Sequence, residues 1–154
     1  MKTFITQSRP KVILSAFILS AIIFSSCRIV LVSSYDGKIA EQIETVSKSI
    51  DKLYLTMQET TTEANGGRAF SKFAEQYVAI DVELHSLLNK NKAREKNEET
   101  VKICEKVIVM FDKYKNEHKK DNTISDADIK LNMEYLRGVL FPLMVSEKAK
   151  KIAE

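Results

Sequence analysis

The sequence predicts an all-α protein, an antiparallel up-down four-helix bundle preceded by an N-terminal signal or anchor helix. Three observations lead to this fold. Four segments carry apolar residues at alternating spacings of three and four, the period of one helix face. Short polar runs separate these segments, and no stretch shows the alternation of a half-buried strand. The 154 residues include only four glycines and two prolines, unlike turn-rich β proteins.

The first 26 residues have the layout of an export signal. Their charged side chains, Lys2, Arg9 and Lys11, are all positive, and 12–24 (VILSAFILSAIIF) is an apolar run of 13 residues. As a helix this run spans about 20 Å, less than the ~30 Å hydrocarbon core of a membrane. That length suits the hydrophobic region of a signal peptide better than a membrane span.

The net charge of the chain comes from this N-terminal segment. The sequence has 24 Lys plus Arg against 21 Asp plus Glu, a formal charge of +3. Three of the basic residues and none of the acidic ones precede position 27, so residues 27–154 are neutral. A neutral domain has no net attraction to phosphate backbones, and we expect no nucleic-acid partner.

The apolar run leads into Phe24-Ser25-Ser26-Cys27, which resembles the lipobox of bacterial lipoproteins. The resemblance implies that residues 1–26 are a lipoprotein signal peptide and that Cys27 becomes the lipid-modified N-terminus. Residues 27–34 would then be the lipidated cysteine and an exit linker to a bundle over 35–154. The partner of the lipid on Cys27 is the membrane, and the location is extracytoplasmic, at the periplasmic face or the cell surface. Two acyl chains give stable anchoring.

Two alternatives remain for the N-terminal segment. It can stay uncleaved as a single-pass membrane anchor, extended by 29–32 (IVLV). Arg28 would then lie inside the apolar stretch, at a cost of a few kcal/mol. It can also be an ordinary signal peptide that is cleaved without lipid attachment.

The first helix is predicted over 36–60 and the second over 68–90. Ser34 or Asp36 can cap the first N-terminus. The cluster Asn65-Gly66-Gly67 predicts a turn between the two helices. The apolar stripe of the first helix has a sustained heptad spacing, and it consists of Ile39, Ile43, Val46, Ile50, Leu53 and Met57. The stripe of the second is Phe70, Phe73, Tyr77, Ile80, Leu84 and Leu87.

The third helix is predicted over 98–119 with Asn97 as its cap, and the fourth over 126–150 with Ser125 as its cap. The third has two adjacent stripes, so we expect its face to be buried more deeply than that of the first helix. Its stripes are Val101, Cys104, Ile108 and Phe111, beside Ile103, Val107, Met110 and Tyr114. The stripe of the fourth is Ile129, Met133, Leu136, Leu140 and Leu143. Because Pro142 cannot donate a backbone hydrogen bond, we expect a kink or a break there.

Four such helices bury their stripes most simply by packing antiparallel. The runner-up is an open array of helical hairpins that completes its core by dimerising. We expect a monomer rather than a homodimer, because heptad spacing of this kind marks the core of a bundle more often than a coiled coil with a partner.

Side chains able to support catalysis or metal binding are few. With Cys27 acylated, Cys104 has no disulfide partner, and its place on an apolar face predicts a buried structural thiol. Asp81 and His85, four residues apart, make only half of a metal site, so a surface polar pair is expected. His118 lies near a helix C-terminus, where a positive imidazole is favoured, and a capping or core-edge role is expected for it. We therefore predict no enzyme, no catalytic residue, no cofactor and no metal.

The part after Cys27 resembles a diffuse group of small bacterial helical proteins without established activity, through Tyr35-Asp36, 97–100 (NEET) and His118. The sequence predicts a non-enzymatic cell-envelope lipoprotein that acts as an interaction or structural module with an envelope protein partner. The alternative is a bundle that binds a small ligand or a metal, with an interior pocket lined by Phe73, Tyr77, Phe111 and Tyr114.

Overall fold

The computed structural model describes residues 32–152, which form four α-helices. The predicted signal segment and Cys27 lie outside this part of the chain. Two short 3-10 turns, Ala64–Gly66 and Phe70–Lys72, connect the first helix to the second, and the described residues contain no strand. The helices are α1 (Gly37–Thr60), α2 (Ala74–Lys92), α3 (Glu98–Asp121) and α4 (Asp126–Lys150).

The four helices pack around one apolar core. Each helix packs against its neighbours along the chain, and α4 also packs against α1, which closes the ring. The prediction of an all-α protein with four packed helices is therefore confirmed. The predicted stripe of α1 is buried along its whole length. The deeper burial expected for α3 is wrong, because Val101, Ile103 and Met110 are only partly buried at the edge of the core.

Side chains cap two of the helices as the sequence predicts. Asp36 Oδ1 accepts a hydrogen bond from the Lys38 amide at 2.8 Å at the start of α1. Ser125 Oγ accepts one from the Asp128 amide at 3.1 Å at the start of α4. Asn97 occupies the equivalent position before α3, but its side chain makes no capping bond. The predicted cap at Asn97 is wrong because this side chain bonds elsewhere in the fold.

The predicted break at Pro142 does not occur. Helix α4 continues through Pro142 from Asp126 to Lys150. Proline leaves the carbonyl four residues earlier, here that of Gly138, without its helical donor. Both residues are exposed, so water can bond to this carbonyl and the helix need not end.

The turn predicted between the first two helices requires its glycines. Asn65 and Gly66 both have positive φ angles, of 55° and 64°. At Gly67, a Cβ atom would lie 2.2 Å from the carbonyl oxygen of Thr62, closer than any side chain can approach. The close backbone approach therefore explains Gly67, and the left-handed conformation explains Gly66.

Candidate functional site

A buried ionic cluster lies where the chain enters the bundle. We call it the clamp, and it consists of Ser33, Arg94, Asn97, Glu147 and Lys150. The Glu147 side chain in α4 is fully buried. Its carboxylate accepts two hydrogen bonds from Arg94, at 2.9 and 3.0 Å, and one from Lys150 Nζ at 2.8 Å. A bidentate arginine and a lysine thus neutralise one buried carboxylate.

The clamp binds the backbone that precedes α1. The Asp36 amide donates to Glu147 Oε1 at 2.9 Å. Arg94 Nη2, besides binding Glu147, donates to the carbonyl oxygen of Ser34. The chain entry is therefore bound to α4 and to the loop between α2 and α3, residues that are far from it in sequence.

Asn97 joins the same cluster from the start of α3. Its Oδ1 accepts from Ser33 Oγ at 2.8 Å and from Lys150 Nζ at 2.7 Å. Its Nδ2 donates to the carbonyl oxygen of Asn91 at 3.0 Å. The Ser33 amide donates to the carbonyl oxygen of Lys96 at 3.1 Å. These bonds explain why the Asn97 side chain is not used as a helix cap.

Burial and hydrogen bonding act in opposite directions on Glu147. Burial by itself raises the pKa of this carboxyl, but the hydrogen bonds from Arg94 and Lys150 outweigh burial and hold the pKa below its ordinary value. Glu147 is therefore ionised at neutral pH. An ionised carboxylate engaged by two cations and a backbone amide has no free lone pair directed at a substrate, so the clamp suits a structural role.

A second polar cluster lies at the α1–α2 connection. His118 is buried, and its Nε2 lies 2.8 Å from the carbonyl oxygen of Arg68, which can only accept. Nδ1 then accepts from the hydroxyl of Tyr77 at 3.0 Å. Burial lowers the pKa of His118, against the effect of the Arg68 carbonyl. The predicted positive imidazole is wrong: His118 is a neutral core residue that joins α3 to α2 and to the preceding connection.

Arg68 secures the same connection. Its buried guanidinium donates to the carbonyl oxygens of Met57 and Ile124, both at 3.2 Å. It also forms a salt bridge with Asp126 at 2.6 Å. The side chain therefore links the end of α1 to the start of α4 without reaching the clamp.

A cleft of about 390 Å³ opens beside His118, between α3 and α4. Thr123 lines it, and the buried Oγ1 of Thr123 has no hydrogen-bond partner among residues 32–152. The remaining lining residues are Tyr114, Glu117, Lys120, Asp121, Ile124, Asp128 and Asn132. With three carboxylates and one lysine, the cleft offers a predominantly negative, half-enclosed surface.

The other predicted site residues do not form a reactive centre. Cys104 is buried, as predicted, and burial raises the pKa of its thiol to about 11, so the thiol is protonated at neutral pH. The carboxylate of Asp81 pairs with Lys115, whereas His85 Nδ1 bonds to the backbone oxygen of Asp81 at 2.9 Å. The two side chains do not converge. Residues 32–152 contain no group of three or more His, Cys, Asp or Glu side chains placed to bind a metal.

The aromatic residues suggested as pocket lining are all buried: Phe73, Tyr77, Phe111 and Tyr114. The rings of Tyr77 and Phe111 are in contact, with centroids 5.7 Å apart. Tyr114 also lines the cleft beside His118. These rings therefore contribute mainly to the apolar interior, and the cleft lies at its edge.

The apolar periodicity of the sequence does not reveal the clamp. Its members come from the segment before α1, the loop between α2 and α3, and α4, and Arg94 and Glu147 are 53 positions apart. One signal was present: Glu147 follows Leu140 and Leu143 at the next position of the apolar stripe of α4. A carboxylate at a core-facing position requires a buried partner, although the stripe does not identify which residue supplies it.

None of the helices within residues 32–152 is long and apolar enough to cross a membrane. The chain matches no protein-family model, no curated protein and no solved structure.

Proposed function

We propose that this protein is a membrane-tethered, non-enzymatic helical module of the bacterial cell envelope, anchored through lipid on Cys27. The observation that carries the proposal is the sequence Phe24-Ser25-Ser26-Cys27 at the end of the apolar run, which resembles a lipobox. Val32, the first described residue, lies five positions after Cys27 in the sequence. The attachment of residues 33–36 to the clamp fits a domain that begins shortly after a lipidated cysteine.

The chemistry of the described residues supports a non-enzymatic role. The buried Glu147 and Lys150 are engaged in the clamp, and the buried Arg68 pairs with Asp126. The buried His118 is engaged in hydrogen bonds to Tyr77 and a backbone oxygen. Nucleophilic catalysis needs an activated nucleophile beside a base. The protonated, buried Cys104 does not meet that requirement.

An up-down antiparallel arrangement completes the proposal. Between α1 and α4, Asp36 bonds to Glu147, and Asp51 forms a salt bridge with Arg137. The residue number therefore increases along α1 while that of the contacting residue in α4 decreases. Between α2 and α3, Tyr77 bonds to His118 and Asp81 to Lys115 in the same sense. Contacts of this order support antiparallel packing of these helix pairs.

Metabolic labelling with a fatty acid tests the anchor. We expect the full chain to incorporate the label and to fractionate with membranes, and we expect both properties to be lost in Cys27→Ala. Cys104→Ala is the matched control and should keep the label. Membrane association without label would favour an uncleaved anchor, and a soluble, unlabelled protein would favour an ordinary signal peptide. Either result overturns the lipoprotein proposal.

The cleft beside His118 supports a second candidate, the binding of a small cationic ligand such as an amine. The observation in its favour is the unpartnered Thr123 hydroxyl within a cleft that carries Glu117, Asp121 and Asp128. Titration with small amines, followed by NMR of the full chain, should shift Thr123 and its neighbours selectively. Asp128→Asn should weaken the binding, and Asp112→Asn, on the same helix pair but outside the cleft, should not. Uniform or absent shifts would eliminate this candidate.

A further inference from the structure

Helix α4 has a second apolar face, on the side opposite the core. The core face uses Leu136, Leu140 and Leu143, which are almost fully buried. A second set of residues, spaced 4, 3, 4, 3 and 4 along the helix, is exposed throughout. We call this set the outer seam, and it consists of Leu131, Tyr135, Gly138, Pro142, Val145 and Ala149.

The outer seam differs from the solvent-facing side of α1, which packs beside α4. The exposed side of α1 is mostly charged and includes Glu41, Glu44, Lys48 and Lys52, as expected for a helix with one buried face. In contrast, Leu131, Tyr135 and Val145 expose 46, 51 and 47 % of their surface. A 4-3 spacing of apolar residues is the pattern of a helix that packs against another helix.

The residues flanking the outer seam indicate which helix packs against it. With Tyr135 and Pro142 at position a of the heptad, Glu134, Phe141 and Lys148 all occupy position g. In an antiparallel pair of helices, g positions face g positions; in a parallel pair, they face e positions, here Val139 and Ser146. An antiparallel pairing of α4 with a second α4 therefore sets Glu134 against Lys148 twice, whereas a parallel pairing leaves both charges without a partner of opposite sign.

In the same register, the outer seam of one chain packs residue by residue against the outer seam of the second chain. When Phe141 lies at the two-fold axis, Tyr135 of one chain meets Val145 of the other, and Gly138 meets Pro142. At the ends, Leu131 meets Ala149. Large residues thus face small ones, and the 66 % exposed ring of Phe141 meets its own copy, where aromatic rings pack favourably.

We propose that two copies of this chain associate antiparallel through the outer seam of α4, around a two-fold axis at Phe141. Charge complementarity between Glu134 and Lys148 fixes the direction of the pairing, and the apolar seam supplies the affinity. One helix face is a small interface by the standard of specific complexes, so the association is reversible and depends on concentration. The inference does not require the lipid anchor, because it concerns a surface of the folded bundle.

Cysteine cross-linking of the full chain tests the geometry. Phe141→Cys should form a disulfide-linked dimer under mild oxidation, because the two thiols meet at the axis. Val109→Cys is the matched control, since Val109 is 67 % exposed but lies on α3. Tyr135→Cys and Val145→Cys should each give little dimer alone and should cross-link efficiently when the two variants are mixed. The unmodified chain supplies the background from Cys27 and Cys104.

Three results would contradict the proposal. A dimer yield for Phe141→Cys no higher than for Val109→Cys would mean that no second copy covers the seam. Efficient self-cross-linking of Tyr135→Cys would indicate a parallel pair. A polarity-sensitive dye attached to the thiol of the Phe141→Cys variant that responds to lipid vesicles, without any cross-link, would assign the seam to a membrane surface instead.

Charge reversal gives an independent test of the direction. In the Phe141→Cys background, Glu134→Lys or Lys148→Glu alone should lower the dimer yield about fivefold, because two attractive pairs become repulsive. The double variant Glu134→Lys/Lys148→Glu should restore it. Failure of this rescue would contradict the antiparallel register, and circular dichroism of each variant would verify that the bundle remains folded.

Discussion

Glu147 shows how one buried charge depends on its partners. Replacing it with glutamine keeps the shape but leaves the buried Lys150 and the partly buried Arg94 without a counter-charge, a change that typically costs about 3 kcal/mol. We expect Glu147→Gln to lower the free energy of unfolding by about that amount, measured by urea denaturation. Glu99→Gln is the control: Glu99 pairs with Lys102 at the surface and is 85 % exposed, so its loss should cost less than about 1 kcal/mol.

The same carboxylate contributes a pH dependence at acidic pH. The folded pKa of Glu147 lies below the ordinary value of 4.5, so the stabilisation is complete above that pH and is lost as the pH falls through the folded pKa. Glu147→Gln should therefore flatten the stability profile below about pH 4.5. A profile as steep as that of the original chain would mean that the clamp does not hold the charge.

His118 should make the stability of the fold depend on pH just below neutrality. The folded pKa of His118 lies below the ordinary value of 6.5, so the unfolded chain binds more protons and stability falls as the pH drops from 6.5 toward the folded pKa. We expect the urea midpoint to decrease between pH 7.5 and 5.5, and His118→Gln to reduce this decrease. The other histidine, exposed His85, provides the control: if His85→Gln removed the dependence instead, the assignment would be wrong.

Asp36 and Asn97 occupy the N-cap positions of α1 and α3, but only the side chain of Asp36 caps its helix. Asp36 caps α1, so Asp36→Ala should cost about 1 kcal/mol. Asn97 makes no capping bond but joins Ser33, Asn91 and Lys150, and Asn97→Ala leaves several buried groups unpaired. Urea denaturation should therefore show a loss of about 2 to 4 kcal/mol for Asn97→Ala. Equal losses at the two positions would indicate that Asn97 is only a cap.

Across the molecule, the clamp couples the chain entry to α4 and to the loop between α2 and α3. The amides of Ser33 and Asp36 donate to the Lys96 carbonyl and to Glu147, respectively. We expect slow hydrogen exchange at both amides and faster exchange in Arg94→Ala, because Arg94 binds Glu147 and the carbonyl of Ser34. Lys48→Ala, a surface variant on α1, should leave both rates unchanged. Rapid exchange in the unmodified chain would show that the entry is not clamped.

Apolar periodicity was sufficient to predict the four helices, because a 3-4 spacing can bury one face only when the segment is helical. The capping role of a side chain was less predictable where that side chain could also bond to distant residues. Ser125 and Asp36 have local amides to cap, whereas Asn97 has distant partners that a local pattern does not contain. The break expected at Pro142 does not form for a related reason: the effect of a proline depends on whether solvent reaches the freed carbonyl, which is decided by the fold.

The helical class, the apolar core and the chemistry available to the chain follow from the sequence, because these depend on residue type and on spacing within one turn. Which polar residues meet depends on the packing of the helices. That packing brought Arg94, Asn97 and Lys150 to Glu147, made His118 a neutral core residue, and turned the stripe from Leu131 to Ala149 outward. The physical reason is that the energy of a buried charge or an exposed apolar face depends on groups that are neighbours in space and not in sequence.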